Sequence, residues 1–139
     1  MLRSLLLTAA LIPFTASLAR AQDSEAVKTS PPSAPYVQVS DVLPLPEFLP
    51  GLGTLFVDPE TLPAGPFLAY DHDGRLSATV YMTPLDALSE GTAYNDLQLG
   101  LQEVTSVDVY YNAGHPGVGV PHAHVVLYHD DGAKGRLAQ

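Results

Sequence analysis

The sequence predicts an α+β domain, mostly β: a small antiparallel sheet of five or six short strands with one or two short helices. Three observations carry this. Short runs rich in Val, Leu, Phe and Tyr are separated by Gly, Pro and Asp at intervals too close for long helices. The loop Asp71-His72-Asp73-Gly74-Arg75 stands between two apolar runs, residues 67–70 and 76–82, as an Asp-Gly hairpin signal. There is no repeat of fixed period and no long amphipathic helix, so the 139 residues are expected to form one domain around one core.

The first segment lies outside that domain. Arg3 gives a short positive start, and residues 5–18 are apolar apart from Thr8, Thr15 and Ser17. Ala19-Arg20-Ala21 then offers a small-x-small cleavage site before Gln22. Residues 1–21 read as a secretory signal peptide, so the protein is expected to be periplasmic or secreted. The apolar run is short for a bilayer span, and no stable membrane anchor is expected after cleavage. With no cysteine in the chain, neither a lipid anchor on cysteine nor a disulfide can contribute.

Residues 22–40 are rich in Ser, Pro and Ala and read as a flexible linker, with a short strand at residues 36–40 as its end. The domain proper is expected over 41–130. Its first stretch, Leu43-Pro44-Leu45-Pro46-Glu47-Phe48-Leu49-Pro50, is too rich in proline for a helix or a central strand and too apolar to be solvated. It is expected to be an extended arm lying across an apolar surface, its own or a neighbour's. Residues 51–57 read as a strand, and Leu62-Pro63-Ala64-Gly65-Pro66 as a turn before the hairpin. Thr83-Pro84-Leu85-Asp86 reads as a helix start, with Thr83 as the cap and Gly91 as the stop. Residues 92–99 read as a loop or second helix, 104–112 and 122–129 as strands, and 131–139 as a polar, frayed tail.

Charge narrows the partners. All fifteen acidic residues follow position 21, whereas Arg3 and Arg20, two of the six basic ones, precede it. The remaining chain is strongly acidic, which argues against nucleic acid and anionic lipid, since both require clustered Lys and Arg.

Chemistry is expected in one stretch. Three of the five histidines lie in Gly114-His115-Pro116-Gly117-Val118-Gly119-Val120-Pro121-His122-Ala123-His124. On a strand, His122 and His124 project from the same face. His115 precedes a turn built from Pro116, Gly117, Gly119 and Pro121 and can be folded back toward the pair. If the strands flanking the turn are antiparallel partners, Asp108 or Tyr110 falls near His124 as a fourth ligand or a supporting hydrogen bond. Metal ligands must converge within about 2.0–2.3 Å of one point. Three neutral imidazoles suit zinc, copper, iron or nickel, with zinc the first expectation. The alternative is structural: the histidines hydrogen-bond backbone carbonyls and shape the turn. A metal-dependent hydrolase is a third reading, but no Gly-x-Ser-x-Gly motif or diagnostic carboxylate pair accompanies the histidines. A cupin-like enzyme would carry a glutamate shortly after the second histidine, where Leu127 and Tyr128 stand. His72, flanked by Asp71 and Asp73, reads as a solvated turn residue.

Taken together, Gly53-Thr54-Leu55-Phe56-Val57-Asp58-Pro59, Leu62-Pro63-Ala64-Gly65-Pro66-Phe67, Gly114-His115-Pro116 and Pro121-His122-Ala123-His124 resemble an uncharacterised exported bacterial family. Its best-known member is controlled by an extracytoplasmic-function sigma/anti-sigma pair. The resemblance spans residues 41–129. It implies an α+β domain, a homo-oligomer and a link to envelope stress, and it implies no activity. Wider relatives resemble the chain in a Gly-His-Pro turn followed by Pro-His-x-Asp-x-His. On that pattern a metal role carries over to His115 and His122, His124 takes the Asp place, and Val126 the place of the last histidine.

Overall fold

A computed structural model describes residues 25–139, so the signal-peptide expectation lies outside the described residues. The strands are β1 (Val37–Gln38), β2 (Thr54–Val57), β3 (Phe67–Tyr70), β4 (Leu76–Pro84), β5 (Ser106–Asn112) and β6 (His122–Tyr128). The helices are α1 (Val39–Val42), α2 (Leu85–Ser89) and α3 (Ala133–Leu137), with a 3-10 turn at Pro59–Thr61. All six strands form one antiparallel sheet in the order β1-β2-β3-β4-β6-β5. The fold is therefore α+β and mostly β, as the sequence predicts. It is a single sheet, not the double-sheet jelly roll of a cupin.

The β3–β4 hairpin forms where the Asp-Gly signal placed it. Asp71 closes the loop by accepting from the backbone N–H of Asp73 at 3.0 Å and of Arg75 at 2.9 Å. Gly74 takes a φ of +73°, which costs glycine least. Every residue of β4 is buried, because it lies mid-sheet between β3 and β6 with both faces covered.

Strand alternation divides the core into two layers. One face carries Leu55, Val57, Phe67, Val80, Met82 and Val126. The other carries Phe56, Leu68, Tyr70 and Leu76, covered by Val27, Tyr36 and Leu101. The leucine-proline arm lies over the first face: Leu43, Leu45, Leu49 and Leu52 pack on it, while Pro44, Pro46 and Pro50 stay exposed. Of the two surfaces open to it in the sequence, the arm covers the chain's own.

Four expectations are corrected. Residues 25–40 are not a free linker. Val27 is buried, Thr29 bridges to Arg75, and Val37–Gln38 pairs with β2, because this segment covers the second face of the sheet. The strand expected at 36–40 is only two residues long and passes directly into α1. Thr83 does not cap a helix: β4 runs through Pro84, which pairs with His122, and α2 starts only at Leu85. Ladder hydrogen bonds to β6 prevailed over a local cap signal. The tail is not frayed. Ala133 and Leu137 in α3 are fully buried, and Arg136 bonds Asp71 at 2.7 Å and Asp130 at 2.7 Å. A five-residue segment, too short to show a hydrophobic period, is held there by tertiary contacts.

A buried polar chain crosses the second face and makes stability depend on pH. His129 Nδ1 donates to the Glu103 carbonyl at 2.6 Å, so its Nε2 accepts from Thr79 Oγ1 at 2.8 Å. The Thr79 oxygen in turn accepts from the Gly100 N–H at 2.9 Å. Burial lowers the His129 pKa, against smaller opposing effects from the Glu103 carbonyl and Asp130. The unfolded chain therefore takes up this proton first. The contribution is complete above the usual histidine range, near pH 6.5, and is lost as pH falls. The urea midpoint is expected to drop between about pH 7 and pH 5, and to drop less in His129→Gln.

Candidate metal centre

His115, His122 and His124 meet at one point, and local sequence explains why. His115-Pro116-Gly117-Val118 forms a closed turn, with the Val118 N–H on the His115 carbonyl at 3.0 Å and the reverse bond at 2.9 Å. Proline fits its second position, and Gly117, at φ +89°, fits its third. A Cβ on Gly117 would also stand 2.5 Å from Leu43 Cδ1, so any side chain there would push against the Leu43 side chain of the arm. Val118, 5% exposed, anchors the turn in the first core layer. His122 and His124 project from the core face of β6 together with Val126 and Tyr128, and are 0% and 2% exposed. The rigid bend thus returns His115 over the strand pair.

The three Nε2 atoms form a small triangle. His122 and His124 are 2.9 Å apart, His122 and His115 3.1 Å, and His115 and His124 3.3 Å. Such a triangle has its centre about 1.8 Å from each corner, within the reach of zinc–imidazole bonds of about 2.0–2.1 Å, so the three nitrogens could hold one ion together. Tetrahedral ligands at that bond length lie about 3.3 Å from one another. Among the described residues, these three form the group of His, Cys, Asp and Glu side chains close enough to hold a metal ion.

The outer nitrogens determine which way the lone pairs face. His115 Nδ1 lies 3.0 Å from the Pro116 carbonyl, and His122 Nδ1 lies 2.7 Å from the Val120 carbonyl. A carbonyl only accepts, so both Nδ1 atoms carry the proton, and both Nε2 atoms are lone pairs in the neutral rings. These two lone pairs face each other at 3.1 Å. Without a cation or proton between them that contact is repulsive. His124 is held neutral: burial, then the neighbouring His122 and His115, push its pKa down to about 4. Its Nδ1 lies 3.1 Å from Tyr110 Oη on β5, the cross-strand partner of His124. Tyr110 keeps its proton, since burial and then Asp108 raise its pKa.

Tyr110 therefore takes the supporting place foreseen for it, but Asp108 is not brought to the triangle. Asp108 pairs with Val126, two residues further along the ladder from the Tyr110–His124 pair. It accepts from Tyr128 Oη at 3.2 Å and from Lys134 Nζ at 2.5 Å, and the Lys134 hydrogen bond holds its carboxyl below the usual range. Lys134 lies in the segment read as a tail, so the competitor for Asp108 was not visible beforehand. His72 stays exposed, stacked on Phe48 at 3.7 Å between ring centroids, with Nε2 2.9 Å from the Gln139 carbonyl. The structural alternative for the histidines is half present, in their carbonyl bonds. Those bonds hold the outer nitrogens and leave the inner ones free, as backbone carbonyls do around metal-ligating histidines. The sequence signal for the outer bonds was the pair of prolines, Pro116 and Pro121, that fix the chain beside each ring.

The chain is similar to a solved structure, that of the hypothetical protein TTHB210 from Thermus thermophilus. The two share 43% sequence identity with a TM-score of 0.60, over 68% of this chain and 94% of the other. No protein-family model and no curated protein matches the chain.

Proposed function

The chain belongs to the protein family that includes Thermus thermophilus TTHB210, and we propose that its three histidines bind one divalent transition-metal ion, zinc first among the candidates. The observation that carries this reading is the pair of Nε2 lone pairs of His115 and His122, aimed at each other by two backbone carbonyls. A cation turns that repulsion into two bonds, and His124 supplies a third. With no thiolate and no carboxylate in the set, the donors suit zinc, copper(II), iron or nickel rather than calcium or magnesium. The bound ion would supply Lewis acidity. His115, His122 and His124 would hold it, and Tyr110 would fix the His124 ring. Metal analysis of protein purified without a histidine tag tests this: about one equivalent per chain is expected, and none would reject it.

Tyr110 supplies a finer test. In Tyr110→Phe the His124 ring loses its outer partner and nothing else, so metal affinity is expected to fall about 10- to 100-fold with the fold intact. Competition with a chromophoric chelator measures it, and unchanged affinity would remove Tyr110 from the centre.

The same reading includes export, controlled within an envelope-stress response, and self-association. Among the described residues no helix is long and apolar enough to cross a membrane. The edge strand β5 leaves Val107, Val109 and Tyr111 50%, 67% and 64% exposed, a row of apolar side chains on the face away from the histidines. Light scattering is expected to give a multiple of the chain mass that falls in Val109→Glu. A monomeric wild-type protein would rule out self-association. Recovery of a cleaved chain starting at Gln22 from the periplasm tests export.

A further inference from the structure

The metal centre borders a cavity. A space of about 230 Å³ lies between the sheet and the leucine-proline arm, and His115 and His124 form part of its wall. The rest of the wall is almost entirely apolar, with Leu43, Leu45 and Leu49 from the arm and Leu55, Phe67 and Met82 from the sheet. Asn112 is the one other polar side chain on it. For scale, a cavity of about 150 Å³ inside a protein accommodates benzene.

We propose that this cavity binds a short-chain monocarboxylate, with its alkyl body among the arm leucines and its carboxylate at the three-histidine centre. The inference rests on the metal reading of that centre. Three neutral imidazoles leave the charge of a divalent ion uncompensated, and the carboxylate that could have balanced it, Asp108, is engaged by Lys134 and Tyr128. An uncompensated double charge beside an apolar space is costly, and a monoanion relieves it. The walls then select what the anion is attached to. Neither a phosphate nor a sugar finds hydrogen-bond partners on leucine, phenylalanine and methionine, whereas an unbranched chain of roughly four to eight carbons needs none. Transfer of each CH₂ from water to such a wall strengthens binding by about fourfold.

The arm gives the site its selectivity. Proline at 44, 46 and 50 keeps it extended, so that Leu43, Leu45 and Leu49 turn inward from one short stretch. Gly117, in contact with Leu43, joins the arm to the turn that carries His115. Cavity and metal centre therefore share one wall.

The test uses the full untagged protein loaded with cobalt(II), whose visible bands report its ligands, titrated with acetate, butyrate, hexanoate and hexanol. The expected result is a change in the cobalt bands with hexanoate at a concentration roughly 250-fold lower than with acetate, four CH₂ groups at about fourfold each, and no change with hexanol. Leu45→Gln is expected to weaken hexanoate at least tenfold and leave acetate and cobalt loading unchanged. Cobalt uptake with equal responses to acetate and hexanoate, or with none, would overturn this inference and leave the metal reading standing. A hexanol response equal to that of hexanoate would overturn the choice of an anion. Failure to take up cobalt would overturn both.

Discussion

His122→Ala and His124→Ala are each expected to lower metal affinity by more than about 100-fold, beyond the 10- to 100-fold that loss of a supporting hydrogen bond costs. The two rings supply two of three donors at mutual distances of 2.9–3.3 Å, and no other His, Asp or Glu among the described residues is placed to substitute. Both rings are buried, so the substitutions act on the apo protein too. Removing His122 also removes one of the two opposed Nε2 lone pairs, which relieves repulsion in the absence of metal, whereas His124→Ala leaves that pair in place. Apo His122→Ala should therefore lose less stability than truncation of an ordinary buried side chain of this size causes. The holo variants should lose all the stabilisation that metal gives the parent. Calorimetric titration and thermal melts with and without chelator read both effects. An equal melting shift on chelation in parent and variants would contradict the assignment.

The second large effect lies at the other end of the fold. Leu137→Ala is expected to cost about 3 kcal/mol, within the usual range for a fully buried leucine. Arg136→Ala is expected to cost about 3 kcal/mol by a different route. Asp71 is 5% exposed, and the Arg136 guanidinium is its charge partner. Its loss leaves a buried carboxylate held only by Ser77 and two backbone N–H groups. Burial alone would raise the Asp71 pKa. The hydrogen bonds from Arg75, Arg136, Ser77 and Asp73 outweigh it and hold the group below its ordinary value. That contribution is complete above the carboxylate range and is lost in acid. The double variant is expected to lose more than about 5 kcal/mol, comparable with the whole stability of a small domain. Urea unfolding measures this, and losses under about 1 kcal/mol in both single variants would show that α3 does not hold the sheet.

These two regions differ in how far the sequence disclosed them. The centre was legible because its cues are local. His-x-His on a strand fixes a shared face, and Pro116-Gly117 fixes a turn, so three rings could be brought together without any long-range contact. The β3–β4 hairpin was legible for the same reason, since Asp71 and Gly74 act within one short loop. The arm was legible as extended and covered, from its prolines and leucines, although what it covers depended on packing. By contrast, α3 draws its order from Leu137 against the core and from Arg136 reaching Asp71, 65 positions away. Neither contact leaves a mark in a polar, glycine-containing stretch. Asp108 was misplaced through the same blindness: its pull toward Lys134 comes from that segment. Residues 25–40 looked like a linker because a segment that only covers one face needs few apolar anchors, here chiefly Val27 and Tyr36. Thr83 misled for a different reason. A helix-start signal next to a nine-residue central strand competes with ladder hydrogen bonds, and β6 extended the strand to Pro84.

X-ray absorption at the zinc edge of the zinc-loaded chain tests the centre most directly. Three imidazole nitrogens at about 2.0–2.1 Å, falling to two in His115→Ala, is the result predicted. A shell with one imidazole or none, or one unaltered in His115→Ala, would contradict it.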